Sequence, residues 1–377
     1  MIMKKPNGSL ISYFSGMVTK GGGINLAQGK PGFLPPKELL NILKEKIDDP
    51  PLHQYAPGNG NFDLLELLAK KFSRYTPVDT NNLLIVQGAT EGIFLVFLYL
   101  KKILKSPFSA LSFEPVYESY PKLPEIFDIP FVYFDLENNL TVDFIELEKV
   151  IEEKNVKIVF IASPGNPLGK VWTGEEIENI VSLSKKHKFY IVFDAVYEDI
   201  YFNRAPYNPL SLNYDKLFYV NSFSKMLSVT GWRIGYIFSG KEHMVKIRNI
   251  HDYTGLSAVS IFQSAIFEYL DRYDFGKEYC DSVRKQCRES FAYMKEMLAG
   301  LGFSAAGVHG GYFLWAELPE AYKDGFSFAL NLYNKVKVGV VPGENFSLIK
   351  KNYIRLNIAQ EMTVISDAAH RIKKFFI

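Results

Sequence analysis

The residues of this chain best suited to chemistry begin at "SFSKMLSVTGWRIGY", positions 222–236. An apolar and aromatic run, "LFYVNS" (217–222), leads into Lys225, and Arg233 follows eight positions later. A lysine at the end of an interior strand is a carbonyl-trapping amine when burial and cationic neighbours lower its pKa. Four other short apolar runs end in residues of equally distinct type. "NLLIVQ" (82–87) opens into "GATEG" with Ala89 and Thr90, and "SALSFE" (109–114) opens into "PVY" with Tyr117. "KIVFIA" (157–162) opens into "SPGNPLG" with Asn166, and "YIVFD" (190–194) ends on Asp194.

Ligands of open α/β sheets bind beyond the carboxyl ends of the strands, so five such ends predict one central site. The residue types describe what it binds. "GATEG" offers backbone N–H groups at a helix start, which suits a phosphate, with Arg233 and Ser222 as further donors. Tyr117 offers a ring face for a flat heterocycle. A buried Asp194 needs a cationic partner, and a protonated pyridine nitrogen is one. A phosphate, an aromatic ring with a basic nitrogen and an aldehyde for Lys225 together describe pyridoxal phosphate.

These residues need a sheet to position them. With "PFVYFD" (130–135) and "IGYIFS" (234–239), seven runs read as strands, most of them apolar throughout, as in a parallel sheet covered on both faces. Helical segments lie between several of them, such as "GEEIENIVSLSKKHK" (174–188) behind Thr173 as a cap. The pattern predicts an α/β protein: a large domain with a mostly parallel seven-stranded sheet covered by helices, and a smaller α+β domain from the N- and C-terminal segments. The expected division is 1–48, with Gly/Pro-rich turns and one helix, packing with the small domain; 49–274 for the large domain; and 275–377 for the small one.

The bulk composition narrows the class. The chain has 377 residues, is 47% hydrophobic and 22% charged, and carries a formal charge of +2. Nothing in that balance calls for a nucleic-acid or membrane partner. Cys280 and Cys287 fall two turns apart in one helical segment, which points away from disulfide or metal use and toward a reducing, cytoplasmic setting. No signal peptide is expected from "MIMKKPNGSLISYF", and "GIFLVFLYL" (92–100) is too short to span a bilayer and reads as buried helix.

At these residues the sequence resembles the fold-type I, class I/II aminotransferases that depend on pyridoxal phosphate, from "INLAQGKPGF" to "YIRLNIA". The resemblance is most specific at "SFSKMLSVTGWRIGY". It implies that Lys225 carries the cofactor and moves a proton at the substrate α-carbon, and that Ser222 and Arg233 hold the phosphate, helped by Ala89 and Thr90. It implies that Asp194 keeps the pyridine nitrogen protonated and that Tyr197 and Asn166 bond the phenolic oxygen. Arg355 in "YIRLN" would take the substrate carboxylate beside Gly29, and Tyr55 would reach the phosphate of the other subunit of a homodimer. Leu168 and Ala195 depart from the family pattern, which usually has Thr and Glu there.

The resemblance implies ping-pong transfer from an amino acid to a 2-oxo acid. "TGLSAVSIFQSA" and "GATEGIF" lack the second cation that dicarboxylate-specific members carry in such segments, Glu91 standing in the latter. This predicts a donor with a neutral side chain: methionine, glutamine, kynurenine or an aromatic amino acid. Aspartate transamination and a carbon–sulfur lyase on the same fold are the alternatives. The cofactor-binding module of a transcription regulator is a third, disfavoured because the family resemblance begins by about residue 24 and leaves no room for a DNA-binding domain.

Overall fold

Thirteen strands are formed among residues 6–105, 107–137 and 140–377, which the computed structural model describes. In chain order they are β1 (Ile24–Asn25), β2 (Leu83–Val86), β3 (Ser109–Glu114), β4 (Phe131–Asp135), β5 (Val156–Ala162), β6 (Tyr190–Asp194) and β7 (Leu217–Ser222). Then follow β8 (Gly235–Phe238), β9 (Ser304–Ala305), β10 (Phe313–Glu317), β11 (Val338–Gly339), β12 (Val341–Pro342) and β13 (Tyr353–Asn357). The first five residues of the segment read for a signal peptide lie outside the described residues.

The large sheet has the order β2-β8-β7-β6-β5-β3-β4. β8 is antiparallel to both its neighbours, and the other pairings among β3 to β7 are parallel. The all-apolar strands follow from burial on both faces, because successive side chains of a strand point to opposite sides. Leu84, Val86, Phe160, Val192 and Val220 face the helix Ala89–Ile103, packing with its Ile93, Val96, Phe97 and Leu100. The alternate residues Ile85, Leu111, Ile161, Phe193 and Tyr219 join the core on the other face. The run "GIFLVFLYL" is thus a buried stretch of helix. Thr173 caps the helix Gly174–His187 reciprocally with Glu176: each side chain accepts the other's backbone N–H.

A second sheet, β12-β13-β10-β9, is antiparallel, and β1 pairs with β11 beside it. The N-terminal segment is laid against this C-terminal part: Asn357 N–H donates to Leu26 C=O at 2.8 Å, and Gly32 N–H to Ala359 C=O at 2.7 Å. That segment holds two helices, Leu10–Gly21 and Lys37–Lys46, where the sequence predicted one. The first is capped by the Ser9 hydroxyl and buries Leu10, Phe14 and Val18, a four-residue repeat that fixes one helix face. Cys280 and Cys287 are free and buried in the helix Lys277–Ala299. No helix among the described residues is long and apolar enough to cross a membrane.

The antiparallel β8 explains why an arginine follows Lys225 at a distance of eight residues. Its first residue, Gly235, pairs with both Val86 at the end of β2 and Ser222 at the end of β7. The chain therefore turns back at the edge where the parallel strands finish, and Arg233 is placed there. A Cβ on Gly235 would lie 2.7 Å from Asn221 O, 2.8 Å from Gly88 C and 2.9 Å from Ala89 N, all backbone atoms. Gly235→Ala is expected to lower the unfolding temperature, consistent with about 1–3 kcal/mol of overpacking. Thermal unfolding of the variant checks it.

Candidate active site

One cavity of about 390 Å³ opens at the carboxyl ends of the parallel strands. The sequence-predicted residues Ala89, Thr90, Tyr117, Asn166, Asp194 and Tyr197 line it, and so do Ser222, Lys225, Arg233, Arg355 and Gly29. The exception is Tyr55, which is 84% exposed and is not among the lining residues.

Lys225 sits in a single helical turn, Phe223–Met226, directly after β7. Its backbone carbonyl accepts the Tyr312 hydroxyl at 2.6 Å, and its ammonium donates to Gly29 C=O. Two other lysines are comparably enclosed, and the contrast is instructive. Lys71 is paired with Glu198 at 2.8 Å and Lys170 with Glu176 at 2.6 Å. Lys225 has no carboxylate partner in an ion pair among the described residues. Burial, reinforced by the Arg355 and Arg233 charges, pushes its pKa down to about 8. Lys71 is also desolvated, yet the Glu198 carboxylate leaves its pKa well above the ordinary lysine value. Lys71 borders a larger cavity of about 720 Å³ that also holds Glu198, Asp199 and Arg284; there cations and acids offset one another.

One end of the cavity is built from backbone. Gly88 caps the helix Ala89–Ile103 with φ +84° and no side-chain bond to the first amides. A Cβ at Gly88 would come 2.4 Å from Arg233 Nη2, so the guanidinium lies directly on this helix start. Arg233 donates to Thr230 C=O at 3.1 Å and Gln87 C=O at 3.4 Å, with no acid in the contact. The Ser224 hydroxyl, 4% exposed and lining the same cavity, has no hydrogen-bond partner among the described residues. Open helix amides, an arginine without an acid and an orphaned hydroxyl fit a phosphate group.

Asp194 ends β6, buried, and accepts the Val196 N–H at 3.1 Å and the Tyr120 hydroxyl at 2.7 Å. Burial raises its pKa, and the Tyr120 and Val196 bonds work against that rise. A carboxylate held this way fits a cationic ring nitrogen. Tyr120 itself stacks on Phe160 at 5.1 Å between ring centres. Tyr197 meets Tyr312 and Phe313 edge-on.

Arg355, on β13, is fully buried. Its guanidinium lies 4.1 Å from the Phe313 ring centre and 4.8 Å from that of Phe346. It donates to Asn166 Oδ1 at 3.0 Å and to Ala27 C=O, while its Nε has no partner among the described residues. Burial lowers its pKa to about 10, which leaves it protonated at neutral pH. A buried guanidinium held by neutral oxygens is incomplete without an anion, and a carboxylate matches its fork.

Sequence reasoning missed Ser224 and Tyr120. "SFSK" held the signal for the first, since its second hydroxyl stands beside the lysine. Nothing before folding showed that Tyr120 reaches Asp194 from 74 positions away. Tyr312 and Phe313 support Lys225 and Arg355: the Tyr312 hydroxyl donates to the Lys225 carbonyl, and the Phe313 ring lies against the Arg355 guanidinium. Leu168 and Ala195, the two departures from the family pattern, are buried core residues. Glu91 accepts the Gln87 N–H and lies 3.7 Å from the buried His251, away from the cavity lining.

Comparison with known proteins gives the same picture from another side. The family profile described as aminotransferase class I and II matches residues 22–372. A probable aspartate aminotransferase of Methanocaldococcus jannaschii is 30% identical over 371 residues, covering 94% of this chain and 93% of that protein. The solved structure of N-succinyldiaminopimelate aminotransferase from Mycobacterium tuberculosis superposes with a TM-score of 0.89 at 25% identity, covering 98% of this chain and 97% of the other. Aspartate aminotransferase from Thermus thermophilus with maleate also gives 0.89, at 24% identity and the same coverage, and so matches in fold.

The depressed Lys225 pKa has a direct chemical consequence. An amine reacts with electrophiles only when neutral, so reductive methylation of Lys225 in the apoprotein is expected to rise with pH around a midpoint near about 8. Lys71 stays unreactive through that range. Arg355→Met removes a like charge and moves the Lys225 midpoint upward. Peptide mapping of labelled protein across pH reads all three; a Lys225 midpoint at the ordinary lysine value would contradict the assignment.

Proposed function

This chain belongs to the class I and II aminotransferases and is a pyridoxal-phosphate-dependent transaminase, and on that premise we propose the donor it takes and the residues that do the work. The donor is an L-amino acid with an uncharged side chain (methionine, glutamine, kynurenine or aromatic), and the acceptor is a 2-oxo acid. The observation that carries the site assignment is the half-buried Lys225, with no carboxylate in an ion pair among the described residues, in one cavity with Asp194 and Arg355.

Pyridoxal phosphate bound here supplies an electron sink for the charge left when an amino acid loses its α-proton. Everything else is done by this chain. The helix start at Ala89 and Thr90, with Ser222, Ser224 and Arg233, binds the phosphate. Tyr117 packs against the ring, and Asn166 and Tyr197 donate to its phenolic oxygen. Asp194, oriented by Tyr120, keeps a proton on the ring nitrogen. Lys225 tethers the cofactor, and its Nζ carries the proton to and from the substrate α-carbon. A pKa near about 8 suits an amine that must alternate between base and acid near neutral pH. Arg355 forks onto the α-carboxylate and fixes which bond at the α-carbon faces Lys225.

We also propose domains at 49–274 and 275–377, with residues 1–48 joined to the second, and a cytoplasmic homodimer in which Tyr55 completes the partner's phosphate site. The exposure of Tyr55 supports the last point, because an 84% exposed tyrosine is ready to be covered by another surface.

The uncharged donor rests on electrostatics. Arg355 accepts one carboxylate, and Glu91 occupies the "GATEGIF" position away from the cavity. Similar proteins carry the names of aspartate and N-succinyldiaminopimelate enzymes, so a donor panel is the deciding experiment. Followed by the cofactor's colour change, kcat/KM for methionine, glutamine or an aromatic donor is expected to exceed that for aspartate at least about tenfold, or roughly 1.4 kcal/mol. Aspartate as the best donor would refute the assignment.

The shared site has its own test. Separately inactive Tyr55→Ala and Lys225→Ala proteins, mixed under subunit exchange, are expected to regain part of the activity, because one hybrid site holds both native residues. Sedimentation as a monomer, or no recovery, would exclude a composite site.

A further inference from the structure

The cavity holds one carboxylate that the reaction above does not use. Glu118 lines it, immediately after Tyr117 and on the same wall. Its Oε1 accepts the Ser9 hydroxyl at 2.8 Å. Its other carboxylate oxygen has no hydrogen bond from the protein among the described residues. The side chain is partly buried, and its charge bears on Arg355, although the bonds of that guanidinium go to Asn166 and Ala27. Glu118 is therefore near the group that seats the substrate carboxylate, and it is not neutralised by that group.

The other charge to weigh is Lys30, which also lines the cavity. Its main chain is fixed, since its carbonyl accepts Asn357 Nδ2 at 2.6 Å and Gln360 Nε2 at 3.3 Å. Its side chain is exposed, so water screens its charge. Glu118 is both less exposed and anchored. An acceptor-only group beside an enclosed binding space favours a ligand N–H and repels a second carboxylate. The methionine side chain offers it no donor, and a carboxamide does.

Building on the transaminase reading of this cavity, we propose that Glu118 is a specificity-determining residue: its free oxygen accepts an N–H from the end of the donor's side chain, selecting the carboxamide of glutamine over the carboxylate of glutamate. The other Glu118 oxygen is taken by Ser9, the cap of the helix Leu10–Gly21, whose Ile11 also lines the cavity.

The test compares glutamine, glutamate and methionine as donors for the holoenzyme and for Glu118→Gln, an isosteric change that removes the charge. The ratio of kcat/KM for glutamine to that for glutamate is expected to fall at least about tenfold, while methionine changes less than about twofold. An unchanged ratio, or an equal loss for all three donors, would overturn the proposal. Ser9→Ala separates discrimination from helix anchoring: it is expected to move the ratio far less than Glu118→Gln, and an equal effect would make Glu118 a structural anchor only. Methionine turnover by the native enzyme reports on the transaminase reading independently. Native enzyme that converts methionine but does not prefer glutamine to glutamate refutes the role of Glu118 alone; native enzyme that converts none of the three, nor kynurenine or an aromatic donor, refutes the transaminase reading as well.

Discussion

Two cations are enclosed in one cavity with no acid bonded to either, and the site depends on that imbalance. Lys225 and Arg355 are both pushed toward their neutral forms by burial. Elsewhere the same chain pairs its enclosed lysines with glutamates, at Lys71 and Lys170. The unmatched pair raises the free energy of the empty site and lowers that of any state with an anion bound, because a ligand carboxylate recovers what desolvation removed. The two arginines also act on the lysine itself: their charges add to burial in lowering its pKa. Anion binding and the readiness of the amine are thus linked through one electrostatic balance.

Holding such charges in place requires neutral supports. Arg355 lies between two phenylalanine rings and donates to an amide oxygen and a backbone carbonyl, a set that fixes the plane of the guanidinium without cancelling its charge. Lys225 is held through its backbone by Tyr312 and through its ammonium by a carbonyl. Asp194 is held by a phenol and a backbone amide. Each reactive group keeps its own charge state because the partner that orients it is neutral.

The two sheets divide this labour. The large one brings five strand ends and the returning β8 to one edge, where Gly88 and Gly235 let a helix start and two strands approach more closely than side chains would allow. The smaller one supplies Arg355 from 130 positions beyond Lys225, and the N-terminal segment, fastened to that sheet through Asn357, brings Gly29 and Ile11 to the cavity.

The sequence by itself determined the α/β class and the mostly parallel sheet, and it marked Thr90, Tyr117, Asn166, Asp194, Ser222, Lys225 and Arg233 among the cavity's residues, because strands buried on both faces write continuous apolar runs and the residues after them are chemically out of place in a core; Gly29, Ala89, Tyr197 and Arg355 were legible only through the family resemblance. Lys225 after "NSFS" and Asp194 after "YIVF" are legible for that reason. The tertiary structure decided what depends on pairings between distant segments. The second N-terminal helix, the Tyr120–Asp194 bond, the orphaned Ser224 hydroxyl and the support of Arg355 by Phe313 and Phe346 all arise that way. So does Glu118, which in sequence is one more polar residue after a tyrosine and becomes the cavity's unused carboxylate only when the Ser9 helix folds over it. A strand advertises its burial along its own length, whereas a charge acquires its partners, or goes without them, only when the chain is closed around it.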